Sequence, residues 1–451
     1  MKPPAPGPSF QQILPFVSAI LLASAALACA DNWPQWRGPL ANGSCAATGL
    51  PESGDPAGAK WVTPLPGASH ATPIIWGEKV FVTSTDPSSK GLLGLCLSAR
   101  DGRILWRKRL GDEIKAPQNN GATPSPVTDG KRVCFLFGSG DLAALDMDGN
   151  PLWAKNLVSE HGNFCTKFGY SSSPLLWNGT LYIQMMRRGK PYSGPAGSDR
   201  PLDPLILAID LLTGKELWKH ARKSPAVDES CESYSTVVVL ENKQRAELLV
   251  QGGDCISGHD PATGDEFWRL DYNPDRETNW RLIPSPVTVG DLIVAGKPRG
   301  GPLLAIKAGG NGALDQAALA WTYDERTSDS GTPLVYQGMI YVLQSDKNDP
   351  WGKGGKSSSG IFLLVIDPAT GKEAGRCKIA SGGAWRSSPT GADGKIYIMS
   401  EEGEVVVVAA GPHGKILSRA DYADGPACAT IAVANQCLWI RTASKLTCVA
   451  K

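Results

Sequence analysis

Hydrophobic residues along this chain recur in short alternating runs bounded by turn residues, and the clearest such stretch is residues 171–219. It opens SSSPLLWNGTLYIQMM and closes LILAIDLLTGKELWKH. The pattern predicts four antiparallel strands: Ser-Ser-Pro-Leu-Leu, a turn at Asn178-Gly179, the alternating residues 181–185, then 205–210, a hairpin, and 216–219. A single sheet of this size cannot bury both faces. It needs copies stacked against it, so the pattern predicts a repeat protein.

The copies are present, about 40 to 60 residues apart, the interval of one propeller blade. The opening dipeptide recurs at Thr72-Pro73, Ser125-Pro126, Ser173-Pro174, Ser235-Thr236, Ser285-Pro286, Thr332-Pro333, Ser388-Pro389 and Ala429-Thr430, which makes eight units. The closing hairpin recurs as Asp210-Leu-Leu-Thr213-Gly214, Asp260-Pro-Ala-Thr263-Gly264 and Asp367-Pro-Ala-Thr370-Gly371, with degenerate forms at Asp101-Gly102, Asp148-Gly149 and His413-Gly414. Four residues after the glycine stands Trp106, Trp153, Trp218 or Trp268 in the first four copies. The aspartate can accept turn amides, the glycine supplies a positive φ, and the tryptophan offers a large apolar face to the next blade.

These motifs resemble the pyrroloquinoline quinone (PQQ) repeat, A-x-D-x-x-T-G-x-x-x-W, most closely in Ala208-Ile209-Asp210-Leu-Leu-Thr213-Gly214-Lys-Glu-Leu-Trp218. The resemblance runs from about residue 58 to the C-terminus and implies an all-β, eight-bladed propeller of four-stranded antiparallel blades. Its family includes quinoprotein dehydrogenases, which use the cofactor, and BamB-like exported scaffolds, which keep the repeat without it. Fold membership alone does not choose between them.

The flanks predict how the ring closes. Lys60-Trp61-Val-Thr-Pro reads as the last strand of a blade, with Trp61 standing where Trp218 stands. The final unit supplies three strands and stops, so the N-terminal strand is expected to complete it and remove the open edges. Residues 31–57, beginning near Trp33, Trp36 and Arg37, are expected to form an extension lying on the disc, and residues 58–451 the propeller. Residues 1–30 read as a signal peptide: Lys2, an apolar run over residues 13–28, then Ala28-Cys29-Ala30. The expected location is therefore periplasmic or extracellular. Cys29 also permits a lipid anchor, although Ala26 occupies the position where a lipobox favours leucine. No other run is long and apolar enough to span a membrane.

Composition narrows the partners. The chain carries 45 Lys and Arg against 44 Asp and Glu, so no basic face for nucleic acid is implied. Without Cys29 ten of the eleven cysteines remain, an even number in an exported chain. Cys437 with Cys448, and Cys165 with Cys231, are the candidate disulfides, with buried free thiols as the other reading. A monomer binding a protein or peptide partner in the cell envelope is expected. Polar insertions at residues 187–204 and 345–359 are candidate contact loops.

Chemistry is sought where the repeats converge. The loops that approach each first strand carry His70, Asn119, Asn120, His161, Tyr170, Tyr234, Trp280, Arg281, Trp385 and Arg386. Aromatic faces mixed with guanidinium groups could hold a planar anion or a peptide carboxylate in the central channel. Alternatively, these side chains and trapped water simply fill the axis of the disc. The dehydrogenase reading would bring PQQ and calcium. Against it, the chain has neither the adjacent cysteine pair of the alcohol-oxidising members nor a C-x-x-C-H haem motif, and no metal ligand set can be assigned. The sequence therefore favours a non-catalytic binding scaffold with no cofactor, and keeps the PQQ-dependent dehydrogenase as the alternative.

Overall fold

The computed structural model describes residues 32–191, 201–344 and 360–451. The expected signal segment with Cys29, the insertion at 345–359 and half of that at 187–204 lie outside the described residues. The described chain forms eight antiparallel sheets arranged as consecutive blades of a propeller. Blade three shows the plan: Leu175–Trp177, Thr180–Met185, Leu205–Asp210 and Glu216–Ala221 pair in chain order. The two middle strands are buried on both faces, whereas the outermost alternates with solvent. That gradient is why the middle strands read as near-continuous apolar runs and the outer ones as alternating.

Ring closure is as the flanks predict. Ala59–Pro64 pairs antiparallel with Lys445–Val449 and completes blade eight, whose other strands are Cys437–Arg441 and Ala432–Ala434. One insertion has a structural use. The expanded hairpin of blade five contributes Gly312–Leu314, which pairs in parallel with the outer strand of blade four, Glu266–Asp271, as a fifth strand.

The seams between blades explain the repeat. The indole N–H of Trp61, Trp106, Trp153, Trp218 and Trp321 each donates to a hairpin carbonyl of the next blade: Ala99, Met147, Leu211, Pro261 and Pro368, at 2.8–3.1 Å. Beside each acceptor lies a hairpin glycine at positive φ, namely Gly102, Gly149, Gly214, Gly264 and Gly371. A Cβ on Gly214 would stand 2.6 Å from the Trp153 ring, and one on Gly371 2.5 Å from Trp321. The glycine is thus required twice, for its backbone angle and for the ring laid over it. Trp268 departs from this pattern, because the hairpin it would meet is the expanded one. It turns to its own blade and donates to Glu247 at 2.5 Å. In blade six Gly375 stands where a tryptophan would, and in its place the backbone of Pro412 approaches closely.

Three details of the sequence reading are corrected. In blade four the hydroxyl equivalent to Ser173 is Thr236, which like Ser173 stands two residues before its first strand, so the opening pair there is Thr236-Val237. By the same spacing it is Thr430-Ile431 in blade eight. In the first two hairpins the residues at the place of Asp210 are Ser98 and Asp146, whose carbonyls accept the amides of Gly102 and Gly149. The cysteines also differ: all ten among the described residues are free. The hairpin register sets Trp439, not Cys437, opposite Cys448, so that candidate pair is diagonal across the strands. Cys165 is buried, and Cys231 instead directs its thiol to the Ala226 carbonyl at 3.2 Å.

Trimming Trp153 to alanine should remove both the packing and the hydrogen bond at one seam. A loss of about 2–3 kcal/mol is expected, measured as a lowered urea midpoint with an unchanged slope. Gly214→Ala should also destabilise, through the positive φ and the ring above it. If Gly214→Ala were neutral, the seam would not be the constraint described.

Candidate functional site

The opening hydroxyls do more than start strands. The amide of Thr72 donates to Ser125 Oγ, Ser125 to Ser173, Ser173 to Thr236, Thr236 to Ser285, Ser285 to Thr332, and Thr332 to Ser388, at 2.8–3.1 Å. This belt ties the inner ends of the blades together around the axis. It also places a ring of Ser and Thr side chains on the channel wall.

Across the other end of the channel runs an N-terminal strap. Trp33 bridges to Ile75, Thr128 donates to the Pro34 carbonyl, Leu176 donates to Gln35 Oε1, and Cys45 and Gly391 are joined through the strap. These contacts fall about three residues further along each first strand than the hydroxyl belt, roughly 10 Å at strand rise. Arg37 fixes the strap. Its fully buried guanidinium donates to the carbonyls of Pro389 and Pro333, both at 2.7 Å, and of Asn42 at 3.0 Å. These acceptors are all backbone carbonyls, and burial lowers its pKa to about 9.

On the axis lies a cavity of about 410 Å³, lined by the belt, by the approach loops that precede it and, from the strap, by Trp36. Its wall includes Ser125, Ser173, Thr236, Thr332, Ser388 and Thr430 from the blade openings. Trp36 of the strap and Phe168 contribute aromatic surface. His70, Gln118, Asn119, Tyr234, Arg281, Arg386 and Glu401 contribute polar groups.

Of the residues singled out in the sequence, the cavity gathers His70, Asn119, Tyr234, Arg281 and Arg386, and the others serve elsewhere. Asn120 caps a local turn, accepting from the amide of Ala122. His161 closes a short helix, Leu157–His161, with Nε2 3.0 Å from Glu216. Tyr170 is core: it stacks on Phe164 and donates to the Gln184 carbonyl. Trp280 lies beneath the Lys297 ammonium, and Trp385 packs into the seam between blades six and seven, donating to Gly382. Proximity to a strand opening marked these residues, but side-chain direction decided which of them reach the axis. Trp36, Phe168 and Glu401 were missed as site residues, and so was the lining role of the opening hydroxyls, whose recurrence was the available signal.

The charges in the cavity are organised in pairs. Arg281 binds Asp329 through two nitrogens, at 2.8 and 3.3 Å, and lies 3.7 Å from Glu229. Arg386 Nε lies 2.8 Å from Glu401. Tyr234 donates to Glu232 at 2.6 Å and accepts from the amide of Phe168; burial first, then the Glu232 charge, raises its pKa. His70 is lowered from the ordinary histidine value chiefly by burial, opposed by a hydrogen bond with Asn119 and reinforced by Arg441 and Arg386. Cys428, also on the wall, is pushed up to about 12 by burial and is therefore a neutral thiol.

The model of the family described as outer membrane protein assembly factor BamB matches residues 54–187. Residues 54–187 thus carry the BamB-like PQQ repeat within an eight-bladed β-propeller. Over 205 residues the chain is 26% identical to quinohemoprotein alcohol dehydrogenase ADH IIB of Pseudomonas putida, covering 42% of this chain and 25% of that protein. Over 163 residues it is 23% identical to polyvinylalcohol dehydrogenase of a Sphingopyxis species, covering 36% and 23% respectively. The matches thus span about a quarter of the length of these curated relatives. The quinohemoprotein alcohol dehydrogenase of Comamonas testosteroni superposes with a TM-score of 0.65 at 13% identity, over 95% of this chain and 82% of that one. BamB of Moraxella catarrhalis superposes with 0.57 at 15%, over 86% and 97%. At these identities the structural likeness establishes the propeller fold alone, which dehydrogenases and an assembly factor share.

Whether PQQ and a metal suit the cavity is a question of donors. Arginines, hydroxyls and two aromatic faces suit a planar polycarboxylate. A hard cation is less well served: Glu401 is the one carboxylate among the described lining residues, and it faces Arg386. The His, Cys, Asp and Glu side chains close enough to share a metal, among the described residues, are His220, His259 and Glu266, at the seam of blades three and four.

Arg281→Met should strand Asp329 as a buried, uncompensated carboxylate, whereas Glu229 keeps Lys167 at 3.0 Å and Arg299 at 2.8 Å. A loss of roughly 3–5 kcal/mol is expected, read as a lowered urea midpoint at pH 7. A variant as stable as the parent would show that Asp329 does not depend on Arg281.

Proposed function

We propose that this propeller is an exported binding protein whose central cavity captures the carboxylate of its ligand. A small planar organic acid or the C-terminus of an extended peptide has the right chemistry. The observation that carries the reading is the convergence of Arg281 and Arg386 on one walled cavity, together with a ring of hydroxyl donors and the faces of Trp36 and Phe168. Guanidinium groups bind carboxylates by paired, charge-assisted hydrogen bonds. Arg386 is the more available of the two, because it is partly exposed and holds Glu401 through Nε. A protein partner in the cell envelope, reached through its terminal carboxylate, is the natural extension of the BamB likeness.

The second reading is a PQQ-dependent oxidoreductase. It is supported by the dehydrogenase relatives and by the cavity's fit to a planar anion. If bound, PQQ would supply two-electron redox chemistry. Arg281 and Arg386 would hold its carboxylates, Trp36 and Phe168 would flank its ring, and the strap beneath would exclude water from that side.

One titration separates the two. The mature protein is titrated with C-terminal carboxylate peptides and with PQQ, with and without calcium, following thermal midpoint and dye reduction by alcohols. Carboxylate binding without turnover, weakened tenfold or more in Arg386→Ala, is the expected result. Calcium-dependent turnover with PQQ would replace the binding-protein reading by the oxidoreductase. The absence of binding by every carboxylate would overturn both.

Acidity should tune the affinity in a definite direction. His70 is neutral near pH 7 and gains a proton only below the ordinary histidine range. Protonation adds positive charge to the cavity, so affinity for an anion that stays ionised should rise as pH falls below the ordinary histidine range. His70→Gln should flatten that profile, as followed by calorimetry with a sulfonate-bearing probe.

A further inference from the structure

The seam between blades three and four holds a second site, away from the central cavity. His220 lies on the outer strand of blade three, Glu216–Ala221. His259 ends the third strand of blade four, Cys255–His259, and Glu266 begins the strand after it. One potential ligand atom from each lies within 4.8 Å of the other two. The two imidazoles meet edge to face with centroids 5.1 Å apart, and His259 Nε2 lies 3.9 Å from Glu266 Oε2. We propose that these three side chains form a binding site for a divalent transition-metal ion, zinc or copper in preference to calcium.

The surroundings argue for a prepared ligand at His259. Its Nδ1 faces the Gly264 carbonyl at 3.1 Å, which places the ring proton there and leaves the lone pair on Nε2. A carbonyl holding the far nitrogen is the arrangement that orients histidines at metal centres. Nε2 now faces Ser257 Oγ at 2.8 Å, and that hydroxyl can turn its proton to the Val250 carbonyl at 3.4 Å. Burial lowers the pKa of both histidines, to about 3 for His259, so a metal would meet neutral imidazoles near pH 7.

Tetrahedral bonds of about 2.0–2.2 Å to nitrogen and oxygen need ligand atoms closer than 4.8 Å, by roughly 1 Å. His220 and Glu266 are only half-buried and can supply that movement. Glu266 now holds Arg269 through both oxygens, at 2.8 and 2.6 Å; coordination through one leaves the other for Arg269. The charges facing the site are Arg222 and Arg269, which oppose a cation, and Asp265 and Glu266, which favour it. Two nitrogens and one carboxylate select borderline metals over calcium, and a water would complete the shell.

The test uses the full mature chain freed of metal with a chelator, titrated with zinc, copper and calcium by calorimetry and thermal midpoint. One zinc per chain, no calcium at the same concentrations, and a two-nitrogen copper spectrum are expected. His220→Ala, at a half-buried position that should fold, should weaken zinc at least tenfold and remove one nitrogen from the copper spectrum. Glu266→Gln should weaken zinc while leaving both nitrogens, and it covers the case of a misfolded histidine variant. Alkylating the thiols beforehand should change nothing. No saturable zinc binding, binding unchanged in both variants, or binding lost on alkylation alone would each overturn the site.

Discussion

The structure depends on one close approach: a tryptophan of one blade laid over a hairpin glycine of the next, its indole N–H on the adjoining carbonyl. Each blade is a sheet with two apolar faces and cannot stand alone, so the seams carry the stability of the ring. The lock fixes distance through the ring, orientation through the hydrogen bond, and backbone angle through the glycine. Where it lapses, other devices take over. Trp268 turns to its own blade beside the extra strand Gly312–Leu314, and Ser418 of blade seven donates to the Glu52 carbonyl of the N-terminal extension. Between blades eight and one the lock holds through Trp61, and buried Arg441 adds bonds to the carbonyls of Thr83 and Gly67.

The inner end of the ring is held by weaker bonds in larger number. The hydroxyl belt occupies backbone amides that a narrow axis would otherwise leave unpaired, so its first role is to satisfy buried polar groups. A wall of hydroxyls follows from that necessity, and binding uses what the fold already requires. Arg281 and Arg386 are different, since nothing in the closure of the ring calls for guanidinium groups there. Their carboxylate partners keep them neutralised without a ligand, and an incoming carboxylate must compete with Glu401 for Arg386. Affinity in such a site is a difference between two ion pairs, which favours selectivity over tight binding.

The strap gives the cavity its direction. By bonding to the first strands of blades one, two, three, six and seven it closes one end of the axis, and Arg37 secures it to backbone carbonyls without a counter-charge. A ligand therefore meets the cavity from the side of the approach loops, where His70, Arg281 and Arg386 stand. The histidine pair at the seam of blades three and four is separate from this axis. It arises because Gly264, the hairpin glycine under Trp218, also offers its carbonyl to His259.

The sequence by itself determined the blade count, the strand order within each blade, the tryptophan seams and the closure by residues near Trp61. All of these are written in local periodicity and in residues with one mechanical use. It placed the opening dipeptide one residue early in blades four and eight, where threonine replaces the usual Ser-Pro, because neighbouring hydroxyls such as Ser235 and Thr236 look alike until one is seen to accept an amide. Only the tertiary structure decided which polar residues near the strand openings face the axis, sending His70 and Arg386 inward and Tyr170 and Trp385 into the packing. It also decided that Trp36 joins the cavity wall and that His220 meets His259 across a seam. Such meetings depend on side-chain direction between segments far apart in sequence, which no local pattern encodes.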